Sequence, residues 1–412
     1  MRGLTVLRVV RSLRRPALVL VLLLAVFGVG ALAHVHKPRH GDSRIVSATR
    51  FLSPTGVDRG GCRRKKRPCL TFNYAYQEAM RGEIVEVAAG DYADQTITSN
   101  AVKTGSGRVI FRPAEKAKVS LGKIRVEASN VELRNMRTPE WYAAPGSRNL
   151  VFRNIRVKGA IFITSASRIS VIGGSVGPGT NFSPEIKAAA GSTVAPRNIL
   201  IDGVTFHDWT RTDLSAHVDC LHVLTVDGLV VRNSRFRNCE AFNILFTQYG
   251  DAGPPRHVVI ENNFFDCCRS GFYSVYLSGQ PALNGGSPFR DFLIRFNSAN
   301  KGFAVGETTT DAASDVRFDS NVAPIPNRLL CAWTGVSWSY NVWQGKGSRC
   351  SKSDRVARPG FLDPVNLDFR LRRGAAPVDR GNPTDFPARD IEGNRRPSGR
   401  APDAGAYEFQ KK

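Results

Sequence analysis

The segment Thr212-Asp213-Leu214-Ser215-Ala216-His217-Val218-Asp219-Cys220-Leu221-His222 crowds imidazoles and carboxylates into one short stretch. His217 and Asp219 share parity in an extended chain and can meet, whereas His222 faces the other way. An imidazole held by a carboxylate is an oriented base that titrates near neutral pH. Such a base suits removal of the proton α to a sugar carboxylate, the first event in eliminative cleavage of an acidic glycan. The charge that develops then needs a cation, either Arg269 or a Ca²⁺ ion held by Asp219. Tyr276 is a second possible base, and His222, Gln248 and Asp251 are placed to line a substrate. The elimination itself requires no cofactor. Glycoside hydrolysis would instead need two carboxylates facing each other across the bond. Asp208, Asp213, Asp219 and Asp251 supply carboxylates, but no spacing pairs them. A third reading is purely structural: His217 and Asp219 bond loop backbone, and His222 caps the core.

These residues are positioned by a repeated phrase. It reads VELRN (131–135), LVFRN (150–154), ISVIG (169–173), ILIDG (199–203), LVVRN (229–233) and VVIEN (258–262), with weaker copies FLIRF (292–296), VRFDS (316–320) and VSWSY (336–340). Alternating aliphatic residues, many β-branched, describe a strand with one buried face. The closing Asn or Gly can take the left-handed bend that turns the chain out of a sheet. Steps between copies begin near ~20 residues and lengthen to ~30 in the middle, as in a coil of parallel strands with loop insertions. The expected fold is therefore all-β, a right-handed parallel β-helix over 83–345. Residues 51–82 form an N-terminal cap with a helix near 70–81 that ends at Gly82, and 346–412 form an irregular C-terminal cap. The rungs between Gly203 and Phe296 have the spare residues to build a site wall.

Aligning DCLHV (219–223), NILFT (243–247) and YSVYL (273–277) predicts columns of His222, Phe246 and Tyr276, and of Asp219, Asn243 and Tyr273. Asn135, Asn154, Asn233 and Asn262, with Asn297, Asn321 and Asn341 one place later, read as a ladder satisfying turn backbone. Trp338 and Trp343 occupy core positions, whereas Trp333 could join a sugar platform. Cys239 and Cys268 each stand six places after a turn Asn. An inter-strand spacing of ~4.8 Å suits a bridge between them, leaving Cys220 and Cys267 to pair or stay free. Cys62 pairs with Cys69 around the loop RRKKRP, and Cys331 with Cys350 across the last rungs. The basic loop is either a polyanion patch or a solvated charge run.

Export is written at the N-terminus. Arg2, Arg8, Arg11, Arg14 and Arg15 precede an uncharged run from Pro16 to Ala33. This describes a signal peptide, or, given the length of the run, an uncleaved signal anchor that would tether the chain to a membrane. Residues 34–50 then form a basic linker containing three His. The chain carries 58 Lys and Arg against 35 Asp and Glu, for a net charge of +23. Such an excess favours anionic partners, whether acidic polysaccharide, membrane surface or nucleic acid. Nucleic acid has charge alone in its favour, because no recognition motif accompanies it. The expected partner is an acidic polysaccharide, met outside the cell or at its surface by a monomer.

The segments SPTG (53–56) and PCLTFNYAYQEAMRGEIVEVAAGDY (68–92) resemble the N-terminal cap of secreted parallel β-helix proteins of the pectate-lyase-like superfamily. NLDFRLRRGAAPVDRGNP (366–383) and DIEGNRRPSGRAPDAGAYEF (390–409) resemble the end motif of choice-of-anchor Q proteins. The resemblance implies the fold, export and a carbohydrate-rich setting. It leaves the reaction open between lyase, hydrolase and non-catalytic carbohydrate-binding surface protein. The paired-Asp, G-H-G and R-I-K pattern of β-helix glycosidases is absent. An R-x-P-x-x-R string at Arg395–Arg400 falls in the tail and reads as coincidence.

Overall fold

Every copy of the repeated phrase is a strand, and successive copies pair in register. In the computed structural model Val131 pairs with Leu150, and Ile169, Ile199, Leu229, Val258, Phe292, Val316 and Val336 continue that column. The structure describes residues 47–247, 251–270, 273–278, 289–306, 313–324, 331, 333–347 and 349–411. Residues 1–46, which hold the targeting segment and most of the linker, lie outside that description, as does Gln248. No helix among the described residues is long and apolar enough to cross a membrane.

Among the described residues the coils build a first sheet of 12 strands, a second of 12 short strands, and a third of 9 to which the terminal coils add none. All pairings within these three sheets are parallel, and the chain is a right-handed parallel β-helix. Parallel pairing starts at Arg50–Leu52 and ends at Arg355–Val356, taking in more chain at both ends than the repeat alone indicates. The interior is lined by stacked columns such as Phe206, Phe236 and Phe265, whose ring centroids are 4.7 and 5.2 Å apart. Trp338 and Trp343 are buried in this core, and Trp333 is half-buried against it.

The turn between the first and second sheets explains the invariant break in the phrase. Asn135, Asn154, Gly173, Gly203, Asn233, Asn262, Phe296, Ser320 and Tyr340 all have positive φ, from 52° to 69°. Asn and Gly adopt that conformation at little cost, which is why they dominate the position. One residue later, Asn263, Asn297, Asn321 and Asn341 form a buried ladder. Asn297, Asn321 and Asn341 each accept through the side-chain oxygen from the backbone N–H and side-chain amide one rung back, and Asn263 accepts from the Ser234 amide. Each also donates to a first-sheet carbonyl, and Asp354 closes the ladder by accepting from Asn341 and Trp343.

The ends are covered. The N-terminal helix is Phe72–Glu78, capped by Thr71, and is shorter than its apolar spacing predicts because Ala79 already has extended backbone. Gly82, expected as its end, is a separate turn at φ 83°. Cys62–Cys69 and Cys331–Cys350 are both bonded as expected. The C-terminal tail lies along the turn between the first and second sheets. Asn262 donates to the Arg389 carbonyl, Asn382 to Asp319, and the Gly405 and Ala406 amides to Ser320 and Ser298.

Candidate functional site

Insertions concentrate on the two sides of the third sheet. The chain leaves the second sheet at His207 and reaches the third only at Leu221. Within that connection Trp209–Thr210 pairs with Gly179–Thr180, raising a small two-stranded wall. Asn181 ties the wall down by accepting from the Thr212 and Asp213 amides. Asp213 then accepts from the Ser215 amide and hydroxyl, so it shapes the loop. The loop delivers His217 and Asp219 to the edge of the third sheet.

Asp219 has no exposed side-chain surface, whereas His217 retains 55%. Asp219 is held at three points, two of them on its carboxylate. Its own amide donates to Ser183 Oγ at 2.8 Å, Oδ1 accepts from the Phe242 amide at 3.1 Å, and Oδ2 meets His217 Nδ1 at 3.1 Å. The hydrogen bond from Asp219 raises the His217 pKa against the opposing effect of burial. Phe242 stacks on the imidazole with centroids 5.8 Å apart, and Nε2 has no hydrogen-bond partner among the described residues. A buried carboxylate that fixes one ring nitrogen of an accessible His is a preset base. It does not fit a Ca²⁺ ligand, because both oxygens already serve protein donors and a calcium site needs several open oxygens. Among the described residues no cluster of three His, Cys, Asp or Glu could hold a metal.

The third sheet supplies the floor. Phe162, Glu185, His222, Leu245 and Tyr276 form one outward column. His222 therefore does stack with Tyr276, but through Leu245; Phe246 points into the core, one place off the expected alignment. The expected column of Asp219, Asn243 and Tyr273 fails likewise, since Leu221 pairs with Ile244 and Tyr273 pairs with Gly302. Connections from second to third sheet differ in length on each rung, so counting from the turn Asn loses the register. His222 Nε2 lies 2.9 Å from Thr247 Oγ1, and burial lowers its pKa. Tyr276 is nearly buried, its ring packed against Phe242 and Tyr273 at 5.1 and 5.5 Å.

Arg269 is not brought to the dyad. Its Nε donates to Asn238, Asn238 donates to Asp208, and Asp208 meets His207 Nδ1 at 2.8 Å, a chain along a different turn. Asp251 is exposed in the turn before Arg256–Glu261. Two cations without a sequence motif stand nearby, Arg211 beside the dyad and Lys187 beside His222. Arg211, on the wall, sits 3.4 Å from Glu240 and close enough to His217 to oppose its protonation. Lys187, paired with Glu185, acts in the same way on His222. The alternation in Glu185-Ile186-Lys187 was the only signal for Lys187, because this strand carries no copy of the repeated phrase.

The disulfide pattern also departs from expectation. Cys239 bonds Cys220, with Cα atoms 5.4 Å apart, and Cys267 bonds Cys268. Cys239 and Cys268 are in fact neighbours along adjacent rungs, since the Arg269 amide donates to the Cys239 carbonyl. However, the Cys239 side chain turns into the core, where Cys220 enters from the start of the third sheet. Spacing predicted the neighbours but not the side-chain direction. The bond fixes the residue next to Asp219 and the residue next to Glu240, so it braces both sides of the site.

No family profile and no curated protein matches the sequence. Solved structures do match. A pectate lyase, Pel9A, superposes with a TM-score of 0.54 at 15% identity, over 88% of this chain and 97% of that one. XylC in complex with xylose gives 0.46 at 9% identity over 88% and 98%, and a rhamnogalacturonan lyase 0.41 at 12% over 82% and 96%. At such identities the likeness speaks for architecture: the chain is similar to the pectate lyase Pel9A in fold, as a right-handed parallel β-helix.

Proposed function

We propose that the protein is an exported enzyme that binds an acidic polysaccharide along the outer face of the third sheet and cleaves it by elimination. One observation carries the reading: the buried Asp219 holds Nδ1 of a half-exposed His217 and leaves Nε2 without a hydrogen-bond partner among the described residues. Neutral His217 takes the proton on the carbon α to the uronate carboxylate. The released electron pair forms a carbon–carbon double bond, and the glycosidic oxygen on the β-carbon leaves and is protonated. Arg211 and Lys187 supply positive charge for the substrate carboxylate as negative charge builds on it. Among solved structures of the same fold, the pectate lyase Pel9A acts on such a polymer, in keeping with this reading. Hydrolysis has weaker support, because Asp219 faces inward and Asp213 is committed to its own loop.

The test is to incubate the purified protein with polygalacturonate, alginate and hyaluronan and to follow ultraviolet absorbance. An absorbing unsaturated sugar is expected with at least one polymer. New reducing ends without absorbance would establish hydrolysis instead, and intact polymers would favour a binding protein.

A further inference from the structure

Five arginines on the outside of the first sheet are matched by acids of the same sheet. On the first sheet, Arg134 and Arg153 pair with Glu132, Arg232 with Asp202, Arg256 with Asp227 and Arg295 with Glu261, all within 3.2 Å. Arg148, Arg168, Arg197 and Arg290 of the same sheet are exposed and have no carboxylate partner among the described residues. On and beside the second sheet the unpaired cations gather around one groove. Lys118, Arg137, Arg156 and Lys158 are exposed, and among the described residues none pairs with a carboxylate. Arg137 and Arg156 are register partners on adjacent rungs, and Ser120 precedes and Ser175 follows them in the same column. Asp91, one rung before Ser120, is the acid that shares this column.

These cations border a groove. One hollow of about 510 Å³ is lined by Arg137, Arg156 and Lys158 together with Pro139, Val157 and Pro178. A second, of about 440 Å³, lies beside it and shares Arg137 and Arg156 while adding Lys118. The apolar surface of Pro139 and Pro178 suits the C–H faces of sugars, and the cations beside it suit carboxylates. Rungs repeat every ~4.8 Å, so the three successive rungs that bear Lys118, Arg137 and Arg156 with Lys158 offer one positive group after another. A polysaccharide with a carboxylate on each sugar presents charge in the same serial way.

We infer that the outer face of the second sheet is a binding groove for a carboxylated polysaccharide, separate from the His217 site on the third sheet. It anchors an extended polymer to the rod and raises the local concentration of chain at the neighbouring sheet. The groove does not depend on His217 being catalytic, since binding alone defines it. Duplex nucleic acid is the other polyanion of note. It is disfavoured because the cations lie within one narrow strip, with no projecting element to enter a groove.

The experiment is affinity electrophoresis of the purified protein in gels containing polygalacturonate, alginate or hyaluronan, with neutral dextran and double-stranded DNA as controls. The probe variants are the triple substitution Arg137→Gln, Arg156→Gln, Lys158→Gln and, separately, His217→Ala, together with their combination. Circular dichroism confirms folding, and Arg137→Lys with Arg156→Lys serves as the charge-conserving companion. The groove triple should bind at least one carboxylated polymer about tenfold more weakly at low salt. The lysine variant should keep most affinity, the groove substitutions should weaken binding by the same factor in the His217→Ala background, and wild-type binding should fade as salt rises. Unchanged retardation of the folded triple variant would overturn the proposal. So would retardation by DNA alone, or binding to none of the three carboxylated polymers. Loss of cleavage with retained binding in His217→Ala concerns the catalytic site and leaves the groove standing.

Discussion

At the residue scale, the pairing of His217 with Asp219 was legible because two residues of equal parity sat in one short segment. The partners of that pair were not. Ser183, Arg211, Glu185 and Phe242 come from three other stretches, and only the coil brings them together. The pair makes a definite prediction about pH. Asp219 raises the His217 pKa, so replacing it with Asn lowers that pKa, and the acid limb of the rate profile should move to lower pH. Rates themselves should fall ~10²-fold or more, since the base loses its orientation. A pH–rate profile of Asp219→Asn checks both points. An unmoved limb would mean that the pair only bonds loop backbone, the structural reading.

At the element scale, the first-sheet turn is the feature the sequence displays best. A residue at positive φ leaves a compositional trace, and Asn or Gly marked six of the nine turns. Phe296 and Tyr340 hold the same backbone conformation without that trace, which shows that the coil can impose it. The third sheet left no comparable marker, and its register and the Cys220–Cys239 bond were misplaced for that reason. Two measurements follow from these elements. Asn321→Ala removes the acceptor for Asn297 and the donor for the Ile294 carbonyl inside the core. Denaturant unfolding should show a loss of ~2–4 kcal/mol for those stranded groups. Cys220→Ser with Cys239→Ser should cost ~2–4 kcal/mol and should reduce cleavage as well, because the bond braces the loop that bears Asp219.

At the scale of the whole molecule, the C-terminal tail seals the line of turns along the rod, and it does so with buried charge. Arg396 is nearly inaccessible, and its guanidinium lies 4.7 Å from the centre of the Phe296 ring. Burial and the neighbouring Glu408 push the Asp403 pKa up to about 7. A carboxyl raised in this way stabilises the fold fully below its unfolded value of 3.8, and that contribution is lost as pH rises through about 7. Asp227 works in the opposite sense. Arg256 and His257 hold it at about 2, so its contribution is present above 3.8 and is lost as pH falls towards 2. Thermal unfolding should therefore occur at a higher temperature at pH 5 than at pH 8, and Asp403→Asn should narrow that difference. An undiminished difference in the variant would remove Asp403 as its source. Sealed at both ends, the rod leaves two outward faces for ligand, a basic groove on the second sheet and the walled site on the third. The central claim, that the walled site eliminates across a glycosidic bond with His217 as base, has one most direct measurement. It is the rate of ultraviolet-absorbing product formed from the cleaved polymer by wild type and by His217→Ala, with folding matched by circular dichroism. The expected result is steady product from wild type and a rate at least ~10²-fold lower from the variant; equal rates from the two would contradict it.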